Sequence, residues 1–498
     1  MATSELKNVV RHGRLYGLAN LVGRFSGLVL LPVYTHVLDP EQFGLYTSAV
    51  LVTDLLSVVL GMGLGRALVR LHVEQGEETG KDAVLGTALA TFAAMAVVIA
   101  LLAYPIAHVS SRLLLGSADT AWLFTWAIWG LIPSTLFNLQ LNYIIVTKQS
   151  SFYLAISVAK ATLFIVFNLW LVVWLGYGVF GIVISTFIAS TIVVGTILGR
   201  MFATTSMSIS KPVLIELLKF GGPLIPTILL DTVMTSLDRY VIGPTQGAAA
   251  LGQYGLGLKL ASLLNMLVTS PFLQIWGVRQ LEALQEGQES RELPNVFFQF
   301  TLVLMTICVG IGLFSTEIIR LIADDAFLPA ATVLPWLAAI QVVAAVRSYA
   351  EVGLHFAKRT APLMSIALVS LIVAAPTYWF AVQAAGIIGV AAACLAVMLF
   401  RTGLTVHWAN RHSPLIRALP WSSLAFAVAL ALVALATGWM WGARGSMLQD
   451  ALVKFATFSV FAAGIGVMLF RNDQAASAEL LKPLIRRLRI PRRLQRQT

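Results

Sequence analysis

The chain is short of charge. Charged residues make up 11% of its 498 positions, against 58% hydrophobic, and mean hydropathy is +0.84. A water-soluble domain carries about 25% charged residues, so this chain cannot cover a water-facing surface. Cysteine and histidine are also scarce, at two and seven. Cys308 and Cys394 both fall in apolar runs, which gives no disulfide framework and no metal-ligand spacing. They read as small packing residues. The histidines are scattered, no nucleophile–base pair stands out, and no glycine-rich phosphate loop is present. The chain therefore reads as a non-enzyme with no cofactor or metal, and ATP hydrolysis is not expected of it.

Long apolar runs are what the sequence has in abundance. At about 20 residues per crossing, hydropathy and breakers together predict about fourteen transmembrane helices in an all-α integral membrane protein. The predicted spans are 13–38, 43–69, 83–109, 120–146, 152–175, 178–201, 219–243, 250–278, 295–322, 329–356, 361–383, 386–410, 417–441 and 447–470. The first run is long and ends in the charged turn Asp39–Pro40–Glu41, so it is expected to stay as the first span rather than be cleaved.

The basic residues orient these spans. With the N-terminus in the cytoplasm, Lys7, Arg11, Arg14, Arg70, Lys81, Lys148, Arg200, Lys211 and Lys219 lie inside. So do Arg279, Arg291, Lys358, Arg359, Arg401, Arg411, Arg417 and a tail that carries Arg471, Lys482, Arg486, Arg487, Arg489, Arg492, Arg493 and Arg496. Only Arg112, Arg320 and Arg444 lie outside. This bias is the one that loop charge imposes on orientation, and it puts both termini in the cytoplasm. The net charge of +11 then faces anionic headgroups and calls for no nucleic acid. Tryptophans at 122, 126, 129, 170, 174, 439 and 441 cluster near predicted interfaces, as an aromatic belt would.

The chain repeats itself at an offset near 208 residues. Gly44 and Tyr46 in FGLY match Gly252 and Tyr254 in LGQY, and Gly178 and Gly181 in GVFG match Gly386 and Gly389 in GIIG. With a slip of two, Trp126 matches Trp336 and Lys148 matches Lys358. Six spans per copy is an even number, so the copies are parallel, and substrate is expected between them. The expected organisation is an N-lobe over 1–209 (spans 1–6), a C-lobe over 210–415 (spans 7–12), two extra spans over 416–470 and a basic cytoplasmic tail over 471–498.

Eleven charged side chains fall inside spans: Arg24, Arg66, Lys160, Arg239, Lys259, Arg347 and Lys454, with Asp54, Asp231, Asp238 and Glu351. At ~3 kcal/mol each on insertion scales, all of them facing lipid would cost roughly 30 kcal/mol. A cationic internal cavity for an anionic substrate explains Arg24, Lys160, Arg239, Lys259 and Arg347. Asp231, Asp54, Asp238 and Glu351 are the candidates for ion coupling. Asn20, Arg24 and Gly27 share a face of span 1, and Arg24 either touches substrate or pairs with Asp54. Span 7 opens with Gly221–Gly222–Pro223 and Pro226, which breaks regular helix. Beyond the break, Asp231, Thr235 and Asp238 share a face. Arg239 is expected to point away from Asp238, and Lys259 to complete a network. Asp231 suits ion coupling and salt bridging equally. Arg347, Glu351 and His355 stack as a self-neutralised ladder on span 10. Lys160, Phe164 and Asn168 form a face of span 5. Arg66 and Lys454 are expected to snorkel to the headgroups.

Two segments, LPVYTHVLDPEQFGLYTSAV (31–50) and SLDRYVIGPTQGAAALGQYGLGLKLASLL (236–264), resemble the span 1–2 and 7–8 junctions of bacterial polysaccharide and O-antigen flippases. That family belongs to the multidrug/oligosaccharidyl-lipid/polysaccharide transporter superfamily, and the likeness runs the whole length. It implies a flippase of the bacterial inner membrane that carries undecaprenyl-diphosphate-linked oligosaccharide by alternating access. A proton or sodium gradient would drive it, and Arg24 with the charges of spans 7–8 would meet the diphosphate. Its implied partners are the polyprenyl-diphosphate-linked glycan, membrane lipids, and a polymerase and chain-length regulator. A lipid II flippase shares the fold but matches the junctions less well. A multidrug cation exporter would favour carboxylates over the seven-to-four basic excess. A scaffold for glycan assembly is the non-transport reading.

Overall fold

The computed structural model describes residues 15–472 apart from 20, 24, 75–77, 286–291, 357–360, 413–415, 417–418 and 443–446. Among the described residues all regular structure is helical. The first helices are α1 (Leu31–Val37), α2 (Pro40–Gly61), α3 (Leu64–Glu74), α4 (Glu78–Leu115) and α5 (Ala121–Val146). Then come α6 (Ser150–Asn168), α7 (Gly178–Thr204), α8 (Lys211–Gly221), α9 (Leu224–Leu264) and α10 (Ser270–Gln285). The rest are α11 (Glu292–Leu313), α12 (Ser315–Ile322), α13 (Ala330–Phe356), α14 (Ala361–His412), α15 (Trp421–Gly442) and α16 (Met447–Asn472).

Eleven helical stretches are long and apolar enough to cross a membrane. Two of them, Lys211–Gly277 and Pro362–Arg411, greatly exceed a bilayer's requirement, and each is broken inside. The breaks fall at Gly247 (φ 82°) and at Ala385–Gly386 (Gly386 φ 56°). Dividing both stretches and adding the 26-residue α5 gives about fourteen crossings.

Local chemistry explains the element ends. Asp39 caps α2 by accepting a 2.7 Å bond from the Gln42 backbone N–H, and Pro40 occupies the first helical position, where no donor is needed. Span 2, expected as one helix, breaks between α2 and α3 at Met62 and Gly63, both left-handed (φ 45° and 65°). The break has a partner. A Cβ on Gly221 would lie 2.4 Å from the Met62 carbonyl oxygen, so the break of span 2 and the Gly–Gly–Pro break of span 7 pack backbone to backbone.

By backbone contact the chain forms two compact units. The first holds Met1–Leu256, Ile322–Leu328 and Ala375–Val390, and the second Gly257–Leu321, Pro329–Ala374 and Ala391–Thr498. Leu60, Leu68, Val84, Ala88, Ile128 and Ile197 belong to the core of the first. In the second, Leu302, Met305 and Val309 of α11 pack with Ala427 and Ala431 of α15 and Phe461 and Ile465 of α16. The two helices outside the repeat are thereby built onto span 9.

The repeat is visible in three dimensions within the first unit. A Cβ on Gly44 would lie 1.8 Å from the Ala248 carbonyl oxygen, and one on Gly252 would lie 2.0 Å from that of Pro40. Both residues of each pair are displaced by the same 208 positions, so the contact is reciprocal. Gly178 (φ 53°) and Gly386 (φ 56°) both take a positive φ at the same offset. The former sits against Leu38 and the latter against Gln246, again 208 apart.

Two charges depart from expectation. Lys454 does not snorkel: its side chain is 11% exposed, and its Nζ donates to Glu317 Oε1 at 2.7 Å and pairs with Asp450 Oδ2 at 2.9 Å. A lysine with two carboxylates within reach is stabilised better by them than by a headgroup it must stretch to. Arg401, counted among the loop charges, is buried inside α14. Both cysteines are buried, as their apolar surroundings predict.

Candidate functional site

The predicted charges of the first unit converge on α2 and α9. The turn at Gly247 folds the end of α9 back on its beginning, and Asp238 and Tyr254 lie at similar distances either side of that turn. The result is a 2.6 Å hydrogen bond from the Tyr254 hydroxyl to Asp238 Oδ2, with both residues buried. Asp238 Oδ1 accepts from the Arg239 backbone N–H at 2.8 Å.

Arg239 also pairs with Asp238, contrary to expectation, with Nε 3.5 Å from Oδ1. The two Cβ vectors do diverge by about 100°. The long arginine stem nevertheless folds back along the helix, held by Nη2 donating to Thr235 O at 3.0 Å and to Ser236 Oγ at 2.9 Å. Across on α2, Asp54 lies within electrostatic reach of Arg239. One turn before Asp54, the Leu51 carbonyl accepts from the Tyr240 hydroxyl at 3.0 Å. Thus the Tyr240–Leu51 bond ties span 7 to span 2 and brings the Asp238–Arg239 pair near Asp54.

Asp231 shares a helical face with Asp238 but is exposed, while Asp238 is buried. Lys160 stands over the Phe137 ring at 4.0 Å, a cation–π contact within the bundle. Asn168, two turns along that face, accepts a 2.6 Å bond from the Tyr34 hydroxyl. Arg24 lies outside the described residues, as does Asn20.

The second unit holds Lys259, Arg347 and Glu351. Lys259 is half-buried on the returning leg of α9. Arg347 and Glu351 form an i,i+4 ion pair on α13, with side chains 17% and 24% exposed. The expected ladder is therefore present in these two members, while the His355 side chain lies outside the described residues. Beside the pair is a cavity of about 330 Å³ lined by Asn265, Thr269, Ser270, Gln274, Arg347 and Ser348, with Leu273 and two alanines.

Sequence reasoning missed Tyr254, Tyr240, Tyr34 and the cavity's hydroxyl and amide residues. The repeat carried one usable signal: Tyr254 was already marked as the counterpart of Tyr46. The others gave none, because a tyrosine or threonine in an apolar helix looks the same whether or not it has a partner across the bundle.

A duplicated helical membrane protein whose spans break in mid-course and whose charges are held within the bundle has the make-up of a secondary transporter. The chain belongs to the polysaccharide biosynthesis protein family, whose profile it matches over residues 9–275. It is 24% identical over 261 residues to the succinoglycan biosynthesis transport protein ExoT of Rhizobium meliloti (strain 1021). That match covers 50% of this chain and 48% of the relative, so the chain matches about half of that protein's length. The chain overlays a lipid II flippase, MurJ, in an inward closed conformation with a TM-score of 0.72 at 15% identity, covering 96% of this chain and 100% of that one. A multidrug resistance MATE family transporter in an inward-facing conformation overlays with a TM-score of 0.62 at 18% identity, covering 81% and 95%.

Proposed function

We propose that this protein flips an undecaprenyl-diphosphate-linked oligosaccharide across the bacterial inner membrane for polysaccharide biosynthesis. The observation that carries the reading is the joint one: membership of a polysaccharide biosynthesis family, on a transporter fold, with cations kept inside the bundle. Arg24, Lys160, Arg239 and Lys259 supply positive charge to the diphosphate, and the polyprenyl chain stays in lipid. The reciprocal contact of Gly44 and Gly252 belongs to a conformation closed at the outer ends of spans 2 and 8, and opening it releases cargo. Asp231, exposed on α9 beyond the Gly–Pro break, is the ion-coupling group, with Asp54, Asp238 and Glu351 in supporting roles. Both termini lie in the cytoplasm.

A strain lacking the chain should cease polysaccharide export and accumulate lipid-linked oligosaccharide. The parent should restore export, Arg24→Ala should not, and Arg24→Lys should restore part of it, because a point charge attracts phosphate without the planar fork. Export by a well-expressed Arg24→Ala protein removes that residue from the site. In reconstituted vesicles Asp231→Asn should bind cargo yet ignore an imposed proton or sodium gradient. An Asn variant that still responds makes Asp231 a structural residue. Reporter fusions at Asp39 and after Arg471 should give opposite signals. A second reading, flipping of lipid II, is favoured by the whole-length overlay on MurJ. Rescue of cells depleted of their lipid II flippase would select it.

A further inference from the structure

The cavity between α10 and α13 has a lining unlike that of the charged network. Five of its side chains, Asn265, Thr269, Ser270, Gln274 and Ser348, are neutral hydrogen-bonding groups, and its one cation is already neutralised by Glu351. The sequence builds the space. Pro271 lacks an N–H and crowds the carbonyl four residues back, and the helix opens into a π turn over Asn265–Thr269. Opposite, Ala344 and Ala345 leave the volume unfilled. At about 330 Å³ the cavity falls in the range of small-ligand sites.

Its polar groups are not used up by the fold. Thr269 is 3% exposed, and its Oγ1 has no hydrogen-bond partner. Arg347 spends one nitrogen on Glu351 while its Nε, also buried, has none. The Gln274 amide reaches Ser270 Oγ only at 3.5 Å. Buried polar atoms left unsatisfied are costly, and two of them beside the exposed amides of Asn265 and Gln274 point to a ligand that supplies both donors and acceptors. A diphosphate offers acceptors only, and here it would meet a single cation among amide and hydroxyl groups that themselves need donors as well as acceptors. A sugar ring offers hydroxyls that both donate and accept, which suits the amides and hydroxyls of the lining and the Arg347 guanidinium.

We propose that this cavity is a glycosyl subsite that holds one uncharged sugar ring of the cargo. Thr269, Ser348 and Asn265 read its hydroxyls, and Glu351 holds Arg347 in place to donate. This rests on the flippase reading but adds to it a sugar-selecting site separate from the residues assigned to the diphosphate.

The test uses full-length protein in nanodiscs, with two probes: the lipid-free oligosaccharide repeat released from the polysaccharide that the host exports, and inorganic pyrophosphate. Saturation-transfer NMR should show the oligosaccharide's sugar protons bound to the parent. Thr269→Val, of the same shape, should weaken that binding about fivefold or more, the scale of one net hydrogen bond, and Thr269→Ser should restore it. Glu351→Gln should weaken it too, while pyrophosphate binding stays unchanged in all three. The proposal is overturned if Thr269→Val leaves oligosaccharide binding intact, if it removes pyrophosphate binding instead, or if the folded parent binds no oligosaccharide. Export by the parent in cells is scored separately. Its loss would sink the flippase reading, whereas retained export with no oligosaccharide binding would sink only the subsite.

Discussion

Asp238 and Glu351 are both carboxylates beside an arginine on a membrane-spanning helix, and the protein treats them in different ways. Asp238 is closed in. A tyrosine hydroxyl, a backbone N–H and Arg239 meet its two oxygens, and Tyr254 arrives from the far side of a helical turn. Glu351 pairs with Arg347 on its own helix, next to a cavity in which the buried Thr269 Oγ1 has no hydrogen-bond partner. The first arrangement clamps one segment of chain to another. The second leaves bonding capacity for something else. An intramembrane charge thus points to function only after its partners have been counted, since the price of burial can be met by the fold alone.

That contrast can be broken by substitution. Asp238→Ala should have the largest effect, because it removes the carboxylate that Tyr254 donates to and that lies beside Arg239. Breaking a buried pair costs about 3–5 kcal/mol, so the detergent-solubilised protein should lose much of its thermal stability, and Tyr254→Phe should lose less. A Glu351→Gln protein of parental Tm would agree with the contrast, and one as unstable as Asp238→Ala would erase it. Next comes Lys454→Ala, which strands Glu317 and Asp450 together and should destabilise by about 1–3 kcal/mol in the same melt. Gly252→Ala follows. Its new Cβ collides with the Pro40 carbonyl, and forcing a methyl into such a contact costs about 1–3 kcal/mol. Because that contact is proposed to belong to one conformation, cysteines placed at 41 and 249 should cross-link less readily in this variant. Unchanged cross-linking would mean the ends do not separate. The smallest effect is expected at Arg66, which is exposed: Arg66→Gln should stay within about 0.5 kcal/mol of the parent.

Much of the fold was legible before any coordinates. Span positions, the breaks at Gly221–Pro223 and the 208-residue repeat all follow from hydropathy and backbone chemistry, which act locally. The site was legible only as a set of residue types. That Asp54, Asp238 and Arg239 come near one another, while Arg347 and Glu351 stand beside a cavity, depends on which helix faces which. Two of the failures share a cause. Asp238–Arg239 was misjudged from Cβ directions, Lys454 from its distance to a helix end, and Arg401 was counted with the cytoplasmic charges although it falls in span 386–410. In the first two a long flexible side chain or an unseen neighbour outweighed the local rule.

The sequence by itself determined that this is a helical, multi-spanning membrane protein with a duplicated plan, because a bilayer requires every backbone polar group to be satisfied within its own helix. Composition and periodicity are enough to read that demand. Only the tertiary structure decided what the repeat glycines do, bringing Gly44 to Ala248 and Gly252 to Pro40, and which charges are spent on the fold. Those outcomes rest on ångström-scale approaches between segments some two hundred residues apart. Hydropathy is summed over neighbours in sequence and does not carry such approaches.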